Sequence, residues 1–416
     1  MEYALFKYLW LAIILPKIIQ FIIFAGLLLL LLRKRNFKVK VDKIVKCVLL
    51  YVALHLFSII FNMPEAQSGY RVMAAFNTAF IWGIAALYYA YYKENPISMG
   101  LMCKCMFTNA LILIALSMLT LALNFYGFES FKLFNMPLYV GDWLMGVRSY
   151  RLVAFMDFSN LVCLFYFLVF PFAYHYILRY STRMKPPFPQ IFLMLALVPV
   201  MLSHSRLGIA LAFLATGFIM AYKAKRLAAT VIVGLTVLYM ILLLNDASEA
   251  EALFDLAASF INGRQSSTDT RFELYEASLR MTMQESPIFG MGIKNMLRAA
   301  PLGSHCTYIG IFYKTGVLGA LLISYVFYAL ISQMLRVYRC MENPHLFAAY
   351  FIAFFLALST EDLDGDNWLI ILFFSMTAIL LSRISSTLKQ HKLTSKQLED
   401  CPRILAVCYD VEDCEA

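Results

Sequence analysis

Residues 303–334, GSHCTYIGIFYKTGVLGALLISYVFYALISQM, open with glycine, serine and histidine, then run through apolar and aromatic side chains whose sole charge is Lys314. From Tyr308 to Met334 the run exceeds the roughly 20 residues that a helix needs to cross about 30 Å of hydrocarbon. The same pattern recurs along the chain, at 17–32, 44–61, 72–92, 101–123, 160–178, 188–202, 207–222, 227–244, 346–358 and 368–381. Backbone groups in lipid must bond within their own segment, and strand-like alternation is not evident, so the spans are read as helices. The chain is 62% hydrophobic and 15% charged, outside the range of a soluble domain. The expected fold is therefore all-α: a polytopic transmembrane helix bundle of about eleven spans, with a large outer loop that contains an interfacial helix.

Lys and Arg set the orientation. Seven of them, Arg33, Lys34, Arg35, Lys38, Lys40, Lys43 and Lys46, crowd one loop, and further clusters at Arg179/Arg183/Lys185, Lys223/Lys225/Arg226 and Arg336/Arg339 fall on the same side of an alternating bundle. That side is cytoplasmic by the positive-inside rule. The tail from Arg383 joins it, while the N-terminus and the segment 245–304 face outward. The net charge of +9 thus reports topology, and no basic stripe with interleaved aromatics suggests nucleic acid. Lys7 and Lys17 interrupt the first apolar run and no small-residue cleavage site follows it, so the first span is expected to be retained as an anchor. Of nine cysteines only Cys306 lies near the outer face, so no disulfide is expected.

Two outer segments carry polar chemistry. The loop 124–159 is rich in aromatics that suit a membrane interface. The loop 245–304 holds RQSSTDTRFELYEASLRMTMQESPIFGMG at 264–292. Thr270-Arg271-Phe272-Glu273 fits a capping box, from which a helix would run to about Glu285 and stop at Pro287. Arg271, Tyr275, Ser278 and Thr282 share one face of it. The Pro287-Ile288-Phe289-Gly290-Met291-Gly292 turn then leads the chain back to the bilayer, and His305 opens the next span, with soft breaks expected at Gly316 and Gly319.

Three outward cations stand out: Arg206 at a span end, Arg271 on the loop helix and His305. An arginine at an interface can simply snorkel to water, but two planar guanidinium forks converging on one cavity suit a pyrophosphate. A histidine that is neutral near pH 7 can take a proton from a sugar hydroxyl, or be a rim residue bonded to backbone. His204 is the weaker competitor. Arg148 and Arg151 either extend the cationic cavity or anchor their loop. Lys314, inside a span, either neutralises phosphate or pairs with an acid. Glu361, Asp362, Asp364 and Asp366 form a short loop lacking Lys and Arg; pairing with cations and orienting an acceptor is the favoured reading over a divalent metal site. ATP-binding, dinucleotide, zinc-protease and serine-hydrolase motifs do not occur, and neither a metal nor a cofactor is expected.

The run Ser203-His204-Ser205-Arg206-Leu207-Gly208, Thr270-Arg271 leading to Ser286–Gly292, and His305 eleven residues before Gly316-Val317-Leu318-Gly319 together resemble the O-antigen ligase/polymerase family (WaaL- and Wzy-like membrane glycosyltransferases). The resemblance is sharpest over 148–320. It implies a metal-independent, inverting glycosyltransferase of the bacterial inner membrane, with its active site facing the periplasm and an undecaprenyl-diphosphate-linked glycan as donor. Arg206 and Arg271 would bind the diphosphate and His305 would be catalytic, with Arg148, Arg151, Lys314 and Asp362 as candidate accessory residues. Cys306 stands where the family usually has Asn, and Lys314 where an acidic residue is common. On this reading 1–147 holds N-terminal spans and the first outer loop, 148–320 the family core, 321–382 the last spans and 383–416 a cytoplasmic tail. The favoured activity is polymerisation of O-antigen or a related surface polysaccharide from lipid-linked repeat units; the alternatives are an O-antigen ligase acting on lipid A-core, and a polysaccharide or lipid-linked sugar transporter. Expected partners are lipid-linked donor and acceptor glycans, membrane lipid and a chain-length regulator, and no nucleic acid.

Overall fold

The computed structural model describes residues 2–144, 147–179, 188–223, 265–298, 300–339, 341 and 343–390. The protein is an all-α polytopic membrane protein. Two short helices, Ala4–Lys7 (α1) and Leu9–Ile13 (α2), precede Lys17–Lys34 (α3), Lys43–Asn62 (α4), Gly69–Glu94 (α5) and Met99–Phe125 (α6). After a small sheet come Asn160–Arg179 (α7), Phe188–Leu202 (α8), Arg206–Lys223 (α9), Gln265–Glu285 (α10), Thr307–Arg339 (α11), Pro344–Ala357 (α12) and Asn367–Gln390 (α13). Five of these, α4, α5, α6, α7 and α11, are long and apolar enough to cross a membrane by length and composition. Every expected span but one coincides with a described helix; the span expected at 227–244 lies outside the described residues.

Aromatic and aliphatic side chains weld the helices together. Helix α13 packs on α5, α7 on α6 and α11 on α4, through residues such as Trp82, Tyr89, Phe165, Trp368 and Phe374, all buried. Asp42, Ser68 and Ser98 cap α4, α5 and α6 by accepting backbone N–H groups, which satisfies donors that a helix start leaves orphaned.

The structure departs from expectation in three places. The aromatic loop after α6 contains an antiparallel meander of Phe131–Leu133 (β1), Met136–Leu144 (β2) and Val147–Leu152 (β3). Its first turn uses Phe134 and Asn135, both at positive φ, and a phenylalanine gives no warning of that conformation. Helix α10 begins at Gln265, so Thr270 is interior and is not a cap. Glu273 instead pairs with Arg298 at 3.0 Å.

The third departure concerns α11. Gly316 sits at φ 60° and ψ −161°, a true break, whereas Gly319 remains helical. Into the break fits the 287–292 turn: the N–H groups of Met291 and Gly292 donate to the carbonyls of Tyr313 (2.7 Å) and Lys314 (3.0 Å), and Val317 N–H donates to Pro287 O (2.9 Å). A Cβ on Gly290 or Gly316 would overlap the opposing backbone. Irregular backbone inside a helix bundle is tolerated because protein groups complete its hydrogen bonds, here including Ser58 Oγ donating to Gly290 O (2.8 Å).

Candidate active site

One end of the bundle holds a cavity of about 290 Å³ lined by Arg151, Phe158, Ser159, Asn160, Thr270, Arg271, Leu274, Ala300, His305 and Glu361. Its walls come from β3 and the turn after it, α7, α10, the segment before α11 and the loop between α12 and α13. Ala154 and Phe155, buried and at positive φ, reverse the chain after β3 and deliver Phe158, Ser159 and Asn160 to the wall.

Helix α10 lies on the bundle through the face that carries Arg271. Ser278 and Thr282 on that face are buried, and Leu274 packs with Met291, Leu302 and Tyr313. Leu279 and Met283 point away and are exposed. Ser278 Oγ accepts the Gly303 N–H (2.8 Å) and Tyr275 donates its hydroxyl to the His305 carbonyl (2.6 Å). These two bonds fix the segment that leads into α11. His305 itself has φ 62°, a conformation costing a non-glycine residue about 1–3 kcal/mol unless its surroundings impose it. Burial, and after it the Arg271 charge, holds its imidazole below the ordinary histidine range, so the ring is neutral at neutral pH.

The loop of residues 358–366 is stitched to several elements. Thr307 Oγ1 donates to Glu361 O (2.6 Å) and accepts the Leu363 N–H (2.8 Å). Lys17 pairs with Asp157 and donates to Gly365 O (2.7 Å); Trp82 donates to Asp364 (2.7 Å). This fastening presents the Glu361 carboxylate to the cavity. There it accepts from the Asn160 amide and faces Arg271 Nη2 at 3.6 Å. Burial pushes the Glu361 carboxyl up to about 7, against the pull of Arg271 and Asn160.

The cations expected from sequence are distributed unevenly. Arg151, Arg271 and His305 meet at the cavity. Arg206, the first residue of α9, is not among the lining residues, but it lies near enough to Arg271 for their like charges to oppose each other. The α8–α9 turn that aims it is compact: Ser203 Oγ is 3.3 Å from Cys163 Sγ, and a Cβ on Gly208 would overlap Cys163. His204 likewise feels Arg151. Arg151 is opposed by burial and by the Arg271 charge, and its Nε is buried with no hydrogen-bond partner among the described residues. Crowded guanidinium groups over one buried carboxylate make a site that favours an anion.

Two of the remaining candidates, Lys314 and Asp362, are engaged in ion pairs elsewhere. Lys314 is buried in an ion pair with Asp364. Burial alone would raise the Asp364 carboxyl, but Lys314 and then Lys294 hold it well below the usual range. Asp362 pairs with Lys294 at 2.7 Å. Arg148 stands opposite Trp143 in the meander, and its side chain lies outside the described residues. In the sequence Asn160 reads only as the first residue of a span, and Glu361 as one of four carboxylates expected to pair with cations, with no role singled out for it. The clue to Glu361 is its place at a span end in a loop without its own cations.

This is the arrangement of a polytopic membrane protein with an anion-favouring site at one end of its helices. Residues 191–324 match the family model described as O-antigen ligase, which supports the resemblance to the O-antigen polymerase/ligase family. The match spans Arg206, Arg271 and His305; Arg151, Asn160 and Glu361 lie outside it. No curated protein matches the chain.

Proposed function

We propose that the protein is a polymerase of O-antigen or a related surface polysaccharide, joining undecaprenyl-diphosphate-linked repeat units at the periplasmic face of the inner membrane. The observation that carries this reading is the convergence of Arg271, Arg151 and His305 on one cavity with Arg206 beside it. Arg206 and Arg271 bind the donor diphosphate. The acceptor hydroxyl attacks the anomeric carbon of the donor sugar, its proton passes to neutral His305, and the bond to the phosphate oxygen breaks with its electron pair leaving on undecaprenyl diphosphate. A single displacement inverts the anomeric centre. The fixed cations stabilise the growing phosphate charge without reorganising, the role that Arg and Lys clamps play at transferring phosphates, and the step requires no metal.

The family match does not choose between polymerase and ligase; polymerase is the reading taken forward. A gene deletion separates the two. Single-repeat glycan on lipopolysaccharide marks a lost polymerase; bare core with accumulated lipid-linked polymer marks a lost ligase. Purified protein that lengthens a lipid-linked glycan by itself excludes a transporter, and failure to do so overturns the polymerase reading.

A further inference from the structure

We propose that Glu361 is a placeholder for the donor diphosphate: before the donor binds it neutralises Arg271, and when the diphosphate takes Arg271 over, Glu361 takes up a proton from solvent. Donor binding and proton uptake are then one event. The inference rests on the diphosphate reading above and adds a charge exchange to it.

The contact is built to be exchanged. Arg271 Nη2 stands 3.6 Å from Glu361 Oε1, and Arg271 Nη1 stands 3.5 Å from Thr360 O, both longer than the roughly 2.7–2.9 Å of a tight charge-assisted bond. The guanidinium is thus attracted without being clamped, and its donors remain available to a better anion. Glu361, by contrast, is fixed through Asn160 and through its own backbone to Thr307, so it cannot swing out to water when its partner is taken. Both residues line the same cavity.

The groups that act on Glu361 are Arg271 and Tyr275 on α10, Arg151 on β3, Asn160 and Cys163 on α7, and Asp362 in its own loop. Arg271 is the strongest influence that keeps the carboxylate ionised, with burial working against it and the carboxyl poised at about 7. A diphosphate diester stays anionic across the neutral range. Placed on Arg271, it removes the stabilising charge and adds a repelling one, so the buried carboxyl must protonate. The carboxylic acid so formed can donate a hydrogen bond to a phosphate oxygen, replacing repulsion with attraction.

Full-length protein in nanodiscs, titrated by calorimetry with undecaprenyl diphosphate bearing a single N-acetylglucosamine, tests this directly. Repeating the titration at pH 8 in buffers of different ionisation enthalpy counts protons. About one proton should be taken up per probe bound, and affinity should fall about tenfold per pH unit above the Glu361 midpoint. Glu361→Gln should bind without proton uptake, independently of pH, and roughly tenfold more tightly than wild type at pH 8. Uptake that persists in Glu361→Gln overturns the assignment. Binding that Arg271→Ala abolishes, but with no proton taken up by wild type, overturns the exchange and leaves the diphosphate site standing. No binding by wild type overturns both. The wild-type proton count needs no variant to fold.

Discussion

The Tyr275 hydroxyl donates to the backbone carbonyl of His305 at 2.6 Å, so the helix that carries Arg271 also holds the histidine in its left-handed conformation. Tyr275→Phe deletes that bond while keeping the ring. A hydrogen bond of this kind is worth about 1 kcal/mol net, so the rate of glycan extension should drop roughly fivefold with protein level unchanged. Unaltered extension rates would show that the His305 backbone is held by other contacts.

Arg271→Ala and His305→Ala should abolish chain lengthening while membrane insertion and abundance stay normal. Arg271→Lys keeps the charge but loses the planar fork, and it should also fall at least about tenfold. Wild-type glycan ladders from well-expressed variants would remove these residues from the mechanism.

Burial and Arg271 hold the His305 imidazole below its ordinary range of about 6.5. A group with a lowered folded value contributes stability above its unfolded pKa and loses it as pH falls through the folded one. If the neutral ring accepts the hydroxyl proton, turnover should be level through neutral pH and fall below the ordinary histidine value. Arg271→Gln removes one of the charges opposing the proton, so the His305 ring, followed by NMR in that variant, should take up its proton at a higher pH than in wild type. A profile flat down to acidic pH would exclude His305 as the proton acceptor.

Lys314 and Asp364 form a buried pair, and stripping one partner leaves an uncompensated charge. Lys314→Met or Asp364→Asn should destabilise the protein by about 3–5 kcal/mol, read as loss of membrane-resident protein and of thermal stability. Lys314→Met combined with Asp364→Leu should recover much of that loss, and the recovered protein should make glycan of normal length. Inactivity of a stable double variant would return Lys314 to the site.

Gly316→Ala forces a Cβ into the backbone of the 287–292 turn at a φ that favours glycine. The cost should exceed the roughly 1–3 kcal/mol of an ordinary strained residue. Thermal unfolding in detergent should shift downward by several degrees at least, while Gly319→Ala, at a helical position, disturbs mainly the Thr315 side chain.

Span positions were legible because a bilayer demands long apolar runs whatever the tertiary structure. Arg271 and Tyr275 were placed on one face by helical spacing alone. The meander was not legible, since its turn uses Phe134 at positive φ. Thr270 and Glu273 satisfied a local capping pattern, but a helix that starts at Gln265 and an ion pair to Arg298 prevailed. Glu361 and Asn160 stand 201 positions apart; no local pattern joins them. Among four acidic residues in one short loop, only packing decides which faces the cavity and which faces Lys314 or Lys294.

The turn wedged into the break at Gly316 has a mechanical consequence. It fuses the arginine helix and the histidine helix into a single jaw, tied again at Ser278 to Gly303 and at Tyr275 to His305. Whatever moves around the cavity, the spacing between Arg271 and His305 does not change with it. Substrate enters against a fixed gauge.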